Sequence, residues 1–467
     1  MGILSNYFET IKFRLSHRKQ ILLPIGMVIS VLLASAAIAY QGTPNQIRLL
    51  LLLLPGFLAV NLFIQAPGLG LILTLLGGFF IKISGPSGLN VTMVGIAFLF
   101  GLWLAKMIIV DRQIRLTQIK TSVPVLFFII ISILSFGIGL LPFMPFANQA
   151  PLDAQLGGFA IFILSSAAFL LSAYLIDMRW LERLTWVFIA VGAVYITGRM
   201  LIVVGISIEF LFDRGATASS MFFTWLVAQT FSQAWFNKRI HIAFRGILFF
   251  LIIIIFIVAY GFASEWKSGW VPPLVAIGAI LGFRYWRLAI LLVPIIVIVA
   301  WIAVIQIISS DTYSWGTRVD AWMIVIEIAK ISPIFGLGFS NYYWYSRYFP
   351  IRGWYVPFNS HNQYIDIIAQ TGIVGLACFL WIFWEVGRLG WNLRNRVPEG
   401  FPRAYVYGVL GGIVGTLVAS SLADWVLPFT YNIGFAGFRS SVLPWIFMGG
   451  LVCIEQLVRK QADSQKA

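Results

Sequence analysis

The sequence predicts an all-α polytopic membrane protein, and three observations support this fold class. Hydrophobic residues make up 60% of the 467 residues and charged residues only 10%. The mean hydropathy is +0.92, and because a soluble globular domain carries about 25% charged residues, that class is excluded. Apolar runs of about 17 to 25 residues follow one another with short polar breaks, and each run is long enough to cross about 30 Å of hydrocarbon as a helix.

These runs predict about 12 to 14 transmembrane helices. Only Gln65, Ala66 and Pro67 separate two of the runs, and the run at 270–283 is too short to cross upright. The predicted spans are 21–40, 47–65, 67–83, 90–110, 121–141, 155–176, 185–208, 217–236, 243–262, 270–283, 286–309, 361–386, 403–423 and 441–458. They divide the chain into N-terminal membrane helices at 1–309, one large extracytoplasmic loop with short amphipathic helices at 310–360, and C-terminal membrane helices with a cytoplasmic tail at 361–467.

The distribution of cations predicts the orientation in the membrane. Lys and Arg are retained on the cytoplasmic side, and the clusters Lys12–Lys19, Lys106–Lys120 and Arg388–Arg403 all lie there if the N-terminus does. We therefore predict cytoplasmic N- and C-termini and an outer loop at 310–360. The net charge of +15 indicates this topology and an attraction to anionic membrane lipids, and nucleic acid is not an expected partner.

The stretch from Ser310 to Gly375 is the only long polar insertion between apolar runs, and it contains Arg318 and His361. Thr317 with Asp320 forms a capping-box pattern, which predicts a helix from Arg318 to Ile331. On that helix Arg318 shares the apolar face with Trp322, Val325 and Ala329. A cation in the first turn opposes the helix dipole unless an anion meets it. The alternative is an Arg that snorkels from an interfacial amphipathic helix.

His361 is the second candidate in this stretch. Ser360 is a good N-cap, so His361 is expected in the first turn of the following helix, where the dipole lowers an imidazole pKa and favours the neutral form. The other two histidines, His17 and His241, are cytoplasmic by the predicted topology. A lone His is often structural, and both interpretations stay open.

Three further cations are candidates for contacts to an anion. Arg199 lies within an apolar span, which indicates either function or an ion pair with an acid such as Glu209 or Asp213. Arg214 precedes a cluster of small hydroxyl residues, where helix capping is the alternative to substrate contact. Lys267 lies in a short outer connection before Gly269, which allows close backbone approach.

The motifs W-G-T-R-V-D-A-W, I-S-P-I-F-G-L-G-F and S-H-N-Q-Y-I-D-I-I-A-Q-T-G-I-V-G-L resemble the signature region of the O-antigen ligase and O-antigen polymerase superfamily. The resemblance covers about 75 residues together with the K-S-G-W element. It implies that His361 is the general base, that Arg318 contacts the donor pyrophosphate, and that Lys267 supplies a second cation. The family usually has Arg at the last position, and Lys cannot form the bidentate phosphate contact, so Arg199 or Arg214 is the alternative.

The resemblance implies a glycosyltransferase of the bacterial cytoplasmic (inner) membrane. It would move a glycan from undecaprenyl pyrophosphate to a hydroxyl of a glycan, lipid or protein acceptor, inverting the anomeric centre without a metal ion or cofactor. Asp366 and Asn362, and also Asp424, are candidates for orienting His361 or the acceptor, and helix capping is the alternative. The alternative hypotheses are a polysaccharide polymerase of the same superfamily and, from a different class, a transporter or flippase of lipid-linked glycans.

Cys378 and Cys453 both fall within predicted spans, so neither a disulfide nor a metal cluster is expected.

Overall fold

The computed structural model describes residues 63–464, apart from 64, 83–84, 86–87, 114–119, 263, 292–308 and 310–311. The chain divides into two units, Met1–Pro67 and Gly68–Ala467, and the described residues belong almost entirely to the second. The regular elements within the described ranges are helices. The first seven are α1 (Pro67–Phe80), α2 (Val91–Ala105), α3 (Val123–Gly139), α4 (Leu152–Tyr174), α5 (Met178–Leu201), α6 (Ser220–Phe236) and α7 (Ile242–Phe256). The next six are α8 (Lys267–Arg284), α9 (Thr312–Ala329), α10 (Asn341–Ser346), α11 (Gln363–Leu393), α12 (Phe401–Leu422) and α13 (Gly434–Ser464).

The prediction of an all-α polytopic membrane protein is confirmed. Among the described residues, eight helical segments are long and apolar enough to cross a membrane. They are Val91–Val110, Lys120–Gly139, Leu152–Tyr174, Met178–Val204, Ile242–Gly261, Gln363–Leu393, Phe401–Leu422 and Gly434–Arg459. The predicted spans at 67–83, 217–236 and 270–283 coincide with α1, α6 and α8. The span at 21–40 and most of 47–65 and 286–309 lie outside the described residues, so the total of about 12 to 14 stays a prediction.

The predicted start of α9 was wrong. The helix begins at Thr312 rather than Arg318 and ends at Ala329 rather than Ile331. Asp320 does not cap it, because its carboxylate binds Arg352 at 2.8 Å. The predicted division into faces is confirmed, since Val325 and Ala329 are buried.

Helix α6 lies at the centre of the bundle and is buried along most of its length. It packs against α8 and α12, and glycines of α12 permit the close approach: a Cβ added at Gly412 would lie 2.6 Å from the Trp225 ring. The indole nitrogen of Trp225 donates to the Thr416 hydroxyl at 3.1 Å. Small residues and interhelical hydrogen bonds are the usual means by which membrane helices associate.

Helix α11 is interrupted at Gly372, whose φ of 70° and ψ of −174° are not helical. The P-I-F-G-L-G-F segment at 333–339 fills this interruption with backbone hydrogen bonds. Leu337 N donates to Ala369 O at 2.9 Å, Gly338 N to Gln370 O at 3.1 Å, and Ile373 N to Pro333 O at 2.9 Å. Gly336 and Gly338 have φ values of 75° and 81°, which only glycine adopts readily. The motif therefore supplies the peptide groups that the helix loses at its break.

The 330–362 segment lies over one end of the bundle. The Asn341 amide donates to Gly139 O at 2.8 Å and accepts from Ala150 N at 2.9 Å, which attaches the segment to the connection between α3 and α4.

The end of the helix bundle opposite this segment is rich in cations. A cavity of about 300 Å³ there is lined by Lys120, Arg388, Arg396 and Arg459 together with Glu385 and Glu455.

We predict that Gly372→Ala lowers the melting temperature of the detergent-solubilised protein, followed by tryptophan fluorescence. An alanine Cβ would lie 2.1 Å from Ile334 O, and this backbone conformation costs a non-glycine residue about 1 to 3 kcal/mol. The expected decrease is at least about 2 °C. Gly387→Ala in the same helix is the matched control, because nothing lies within 4 Å of its added Cβ. Equal melting temperatures for the two variants would show that the break is not held by these contacts.

Candidate functional site

His361 lies immediately before α11 and not in its first turn, so that prediction was wrong. The N-cap is Asn362, whose side chain accepts from Tyr364 N at 3.0 Å. His361 has a φ of 48°, a left-handed conformation that is uncommon outside glycine. Ser360 stabilises this turn because its hydroxyl accepts from Asn362 N at 3.0 Å. The cap therefore comes from Asn362, and the turn before it directs the imidazole.

The turn is held from two sides. The Trp322 indole of α9 donates to Ser360 O at 2.7 Å, and the Ser360 hydroxyl donates to the Asp366 carboxylate at 2.8 Å. Tyr342 donates its hydroxyl to the same oxygen of Asp366. Asp366 is fully buried. Asp366 thus supports the backbone of the turn through Ser360. Among the described residues, the Asp366 carboxylate forms no hydrogen bond with the His361 imidazole.

The described contact of the imidazole is with Asn432, in the connection between α12 and α13. Asn432 Nδ2 lies 3.4 Å from His361 Nδ1 and donates to Asp424 Oδ1 at 2.5 Å. The other carboxylate oxygen of Asp424 accepts from Phe429 N at 2.7 Å. In the neutral tautomer that carries its proton on Nε2, Nδ1 of His361 accepts from the Asn432 amide. The contact is long, so another donor can replace Asn432 at Nδ1.

Gln363 joins the two chain segments that form this arrangement. Its side-chain oxygen accepts from Val426 N at 3.1 Å and Leu427 N at 2.8 Å, and its nitrogen donates to Leu427 O at 3.2 Å. Gln363 is fully buried. The residue after the helix cap therefore fixes the position of the segment that carries Asp424 and Asn432.

Burial lowers the pKa of His361, and the positive charge of Arg318 lowers it further. The predicted direction of this pKa shift is therefore confirmed, and its causes are desolvation and a neighbouring cation. Arg318 donates to Leu422 O at 3.0 Å, and its guanidinium lies 5.4 Å from the centre of the Trp315 ring. Burial raises the pKa of Asp424 to about 6, while hydrogen bonds from Phe429 and Asn432 oppose this shift.

A second group of cations lines a cavity of about 900 Å³, which includes Lys82, Arg199 and Arg214. Arg199 forms an ion pair with Glu209, which agrees with the structural alternative for this intramembrane cation. Asp213, also in the lining, pairs with the buried Arg439 at 2.8 Å.

Helix capping explains two of the polar residues in the segment near Arg214. Ser219 caps α6 by accepting from Met221 N at 3.2 Å, and the Asp213 side chain accepts from Gly215 N at 2.8 Å. Arg214 itself follows Asp213 and faces the cavity. Capping and a role for Arg214 in the cavity are therefore compatible.

Trp266 connects the cavity to the His361 region. Its ring lines the cavity and packs against Trp425 with a centroid distance of 6.0 Å. Trp425 follows Asp424 in the chain, and its indole nitrogen is buried without a hydrogen-bond partner among the described residues. Lys267 follows Trp266 as the first residue of α8. The structure thus brings His361 and Arg318 together, groups Arg199 with Arg214, and puts Lys267 beside the tryptophan that borders both regions.

Sequence reasoning missed Asn432 as the contact of His361. It also missed that Trp322 and Ser360 support the turn that carries His361. Asn432 lies in an ordinary connection, and no motif marks it. Within the described part of the chain, no group of three or more His, Cys, Asp or Glu side chains is placed to hold a metal ion. Cys378 and Cys453 are both buried and free.

Comparison with known proteins finds no family model that matches the chain and no curated protein that matches it at a significant level.

We predict that Arg318→Met raises the pKa of His361, because the variant removes a positive charge that disfavours the imidazolium. The measurement is the pH dependence of diethyl pyrocarbonate modification, in a background in which His17 and His241 are replaced by Gln. Arg347→Met is the control, since the guanidinium of Arg347 packs on Trp344 at 4.6 Å. An unchanged midpoint in Arg318→Met would mean that burial alone sets the protonation state of His361.

Proposed function

We propose that the chain is an integral membrane glycosyltransferase that moves a glycan from undecaprenyl pyrophosphate to an acceptor hydroxyl, as in the O-antigen ligase and polymerase superfamily that its motifs resemble. The observation that carries this proposal is the half-buried, neutral imidazole of His361 beside the Arg318 guanidinium. A neutral imidazole accepts a proton from a hydroxyl, and a nearby cation stabilises negative charge on a departing phosphate.

In the proposed reaction, the acceptor hydroxyl replaces Asn432 as the hydrogen-bond donor to Nδ1 of His361. The acceptor oxygen attacks the anomeric carbon as its proton passes to Nδ1. The bond between the anomeric carbon and the pyrophosphate oxygen breaks, and its electron pair leaves with the pyrophosphate. Attack from the face opposite the leaving group inverts the anomeric centre, and arginine and lysine side chains neutralise the leaving group without a metal ion. Before the acceptor binds, Asn432, which donates to the carboxylate of Asp424, lies against Nδ1.

Two sets of cations are available for the pyrophosphate. Arg318 is adjacent to His361, and the cavity with Lys82, Arg199 and Arg214 begins on the other side of Trp266. Arg199 is already paired with Glu209, which reduces the charge that it offers to a ligand. We therefore assign the pyrophosphate to Arg318 and Lys267, with Arg214 as the cation that compensates for the Lys at position 267.

Ligases and polymerases of this kind are distinguished by their acceptor. Both catalyse the same reaction, and they differ in whether a lipid, protein or glycan hydroxyl attacks.

A flippase or transporter of lipid-linked glycans is the candidate from another class, and the interruption of α11 favours it because transporters often bind substrates at discontinuous helices. At Gly372, however, the peptide groups around the break are engaged by residues 333–338. Peptide groups that are already hydrogen-bonded in this way are not available to bind a transported ligand. We therefore prefer the enzyme to the transporter.

We further propose that the His361 end of the bundle faces the outside of the bacterial cytoplasmic membrane and that both termini are cytoplasmic. The support is electrostatic. The end opposite His361 carries Lys120, Arg388, Arg396 and Arg459 around one cavity, and such cations are retained in the cytoplasm. A lipid-linked glycan on the outer leaflet would then reach His361 without crossing the membrane again.

We predict that His361→Asn reduces glycan transfer by roughly 100-fold or more, because it removes the base. Asparagine is suited to this test, since it tolerates the left-handed backbone of His361 better than alanine does. The measurement is transfer of radiolabelled glycan from undecaprenyl pyrophosphate in membranes with matched protein levels. In the parent, the rate should rise with pH through a pKa below that of a free imidazole and then level off, because only the neutral ring takes a proton.

The control for this experiment is His241→Asn, which changes a histidine that caps α7 at the cation-rich end. It should leave transfer unchanged. Parental activity in His361→Asn would make His361 structural and would favour the transporter.

The role of Lys267 has its own prediction. Lys267→Ala should reduce transfer by roughly 10-fold or more, as expected for loss of a charge-assisted contact of about 1.5 to 3 kcal/mol, whereas Lys267→Arg should retain or increase it. Lys330→Ala is the control, because Lys330 is exposed and pairs with Glu327 on its own helix. If Lys267→Ala is fully active while Arg214→Ala is not, the second cation is Arg214.

A further inference from the structure

Three aromatic side chains near the start of α9 are highly exposed. Tyr313 is 71% exposed, Trp354 71% and Tyr355 69%. Tyr313 belongs to the first turn of α9, and the other two rings follow a tight turn at 351–354. Large exposed aromatic surfaces on a folded protein usually mark a site of interaction.

The turn that carries Trp354 is rigid. Ile351 N donates to Trp354 O at 3.0 Å, and Trp354 N donates to Ile351 O at 2.9 Å. The two central residues, Arg352 and Gly353, have φ values of 51° and 85°. Two consecutive positive φ values are the geometry of a type I′ turn. Trp354 is therefore displayed by a closed two-residue hairpin and not by a free loop.

Arg352 attaches this turn to α9. Its Nε donates to Asp320 at 2.8 Å, and its guanidinium lies 4.8 Å from the centre of the Tyr313 ring. One side chain thus links the turn to the first and third turns of the helix. We call the surface formed by Tyr313, Arg352 and Asp320 together with the adjoining Trp354 and Tyr355 the aromatic platform.

The platform and the His361 site border opposite faces of α9. Arg318 lies five residues after Tyr313, and Trp322, which binds Ser360 O, lies nine residues after it. At about 100° per residue these side chains lie roughly 140° and 180° around the helix axis from Tyr313, and at 1.5 Å per residue they lie roughly 8 Å and 14 Å along it. Helix α9 therefore lies between the platform and the candidate site.

The mixture of groups on the platform fits a carbohydrate better than a lipid chain. A pyranose ring has an apolar C–H face that stacks on an indole or phenol ring, and hydroxyls at its rim that bond to charged and polar groups. The ion pair of Arg352 and Asp320 lies beside the Tyr313 ring, and hydrocarbon would penalise it. We propose that the aromatic platform binds pyranose rings of the glycan chain. This inference rests on the proposed function of the His361 site and adds to it the surface that holds the glycan.

The test uses the full chain in nanodiscs and measures saturation transfer by NMR to three soluble probes, namely maltohexaose, chitohexaose and mannohexaose. We expect saturation of pyranose C–H protons of at least one probe, and a decrease of fivefold or more in both Tyr313→Ala and the double variant Trp354→Ala/Tyr355→Ala. Trp384→Ala is the matched control, since Trp384 is 70% exposed on the apolar surface of α11, and it should behave as the parent. Because the changed rings are exposed, the variants should keep the parental melting temperature.

The probes bind without reaction, so the outcome is independent of transfer. His361→Asn should retain the parental saturation, and a loss of transfer in that variant bears on the proposed function alone. If no probe is saturated, or if the platform variants are saturated like the parent, the platform does not bind glycan.

The opposing possibility is that the rings lie in the membrane interface. The inference requires that the platform face water, so a spin label on the exposed Val356→Cys should be relaxed more by a water-soluble nickel complex than by oxygen. Cys378 and Cys453 are buried and should remain unlabelled. Preferential relaxation by oxygen would place the platform in lipid and overturn the inference.

Discussion

The need to satisfy every backbone hydrogen bond within a membrane organises this structure. A helix meets that need by itself, but α11 is broken at Gly372, and the segment 333–339 enters the bundle to supply the missing partners. Because this segment joins α9 to α10, its insertion also fixes where both helices lie. The residues around His361 are then held between α9, α10 and the start of α11. A local cost in α11 is thus offset by contacts that assemble the candidate site.

In the candidate site, several hydrogen bonds restrain the backbone at His361, whereas few contacts restrain its imidazole. Trp322, Ser360 and Asp366 restrain the turn at His361, whereas the imidazole itself has one long contact to Asn432. Such an arrangement suits a group that must exchange one hydrogen-bond partner for another during a reaction. Burial and Arg318 together lower the pKa of the imidazole. In the reaction that we propose, the same guanidinium would also stabilise negative charge on the leaving phosphate.

Hydropathy and charge were enough to predict the fold class, the long apolar helices in the described part of the chain, and the apolar face of α9. The proximity of Arg318 and His361 followed from their place in one polar insertion. The sequence was not sufficient for features that depend on distant partners. The start of α9 was misplaced because Asp320 binds Arg352 rather than a helix terminus. The cap of α11 was assigned to Ser360 because Ser360 and Asn362, two positions apart, are equally good caps. Asn432 contacts His361 across 71 positions of the chain, and no local pattern encodes such a contact. Arg199 was compatible with two roles until its pairing with Glu209 was known.

The hydrogen bonds of the Gln363 side chain restrict how the parts of the site can move relative to one another. Because its side chain bonds to the backbone of both Val426 and Leu427, His361 and Asp424 belong to one stiff block, although about sixty residues separate them. Helix α9 meets this block differently at its two ends. Its C-terminal half is anchored in a hydrophobic cluster with Tyr342 and Ala369, while side chains of Arg318 and Trp322 reach the block by hydrogen bonds to carbonyl oxygens. The two halves of α9 are therefore held to the site by different forces, the first by polar contacts to backbone oxygens and the second by apolar packing.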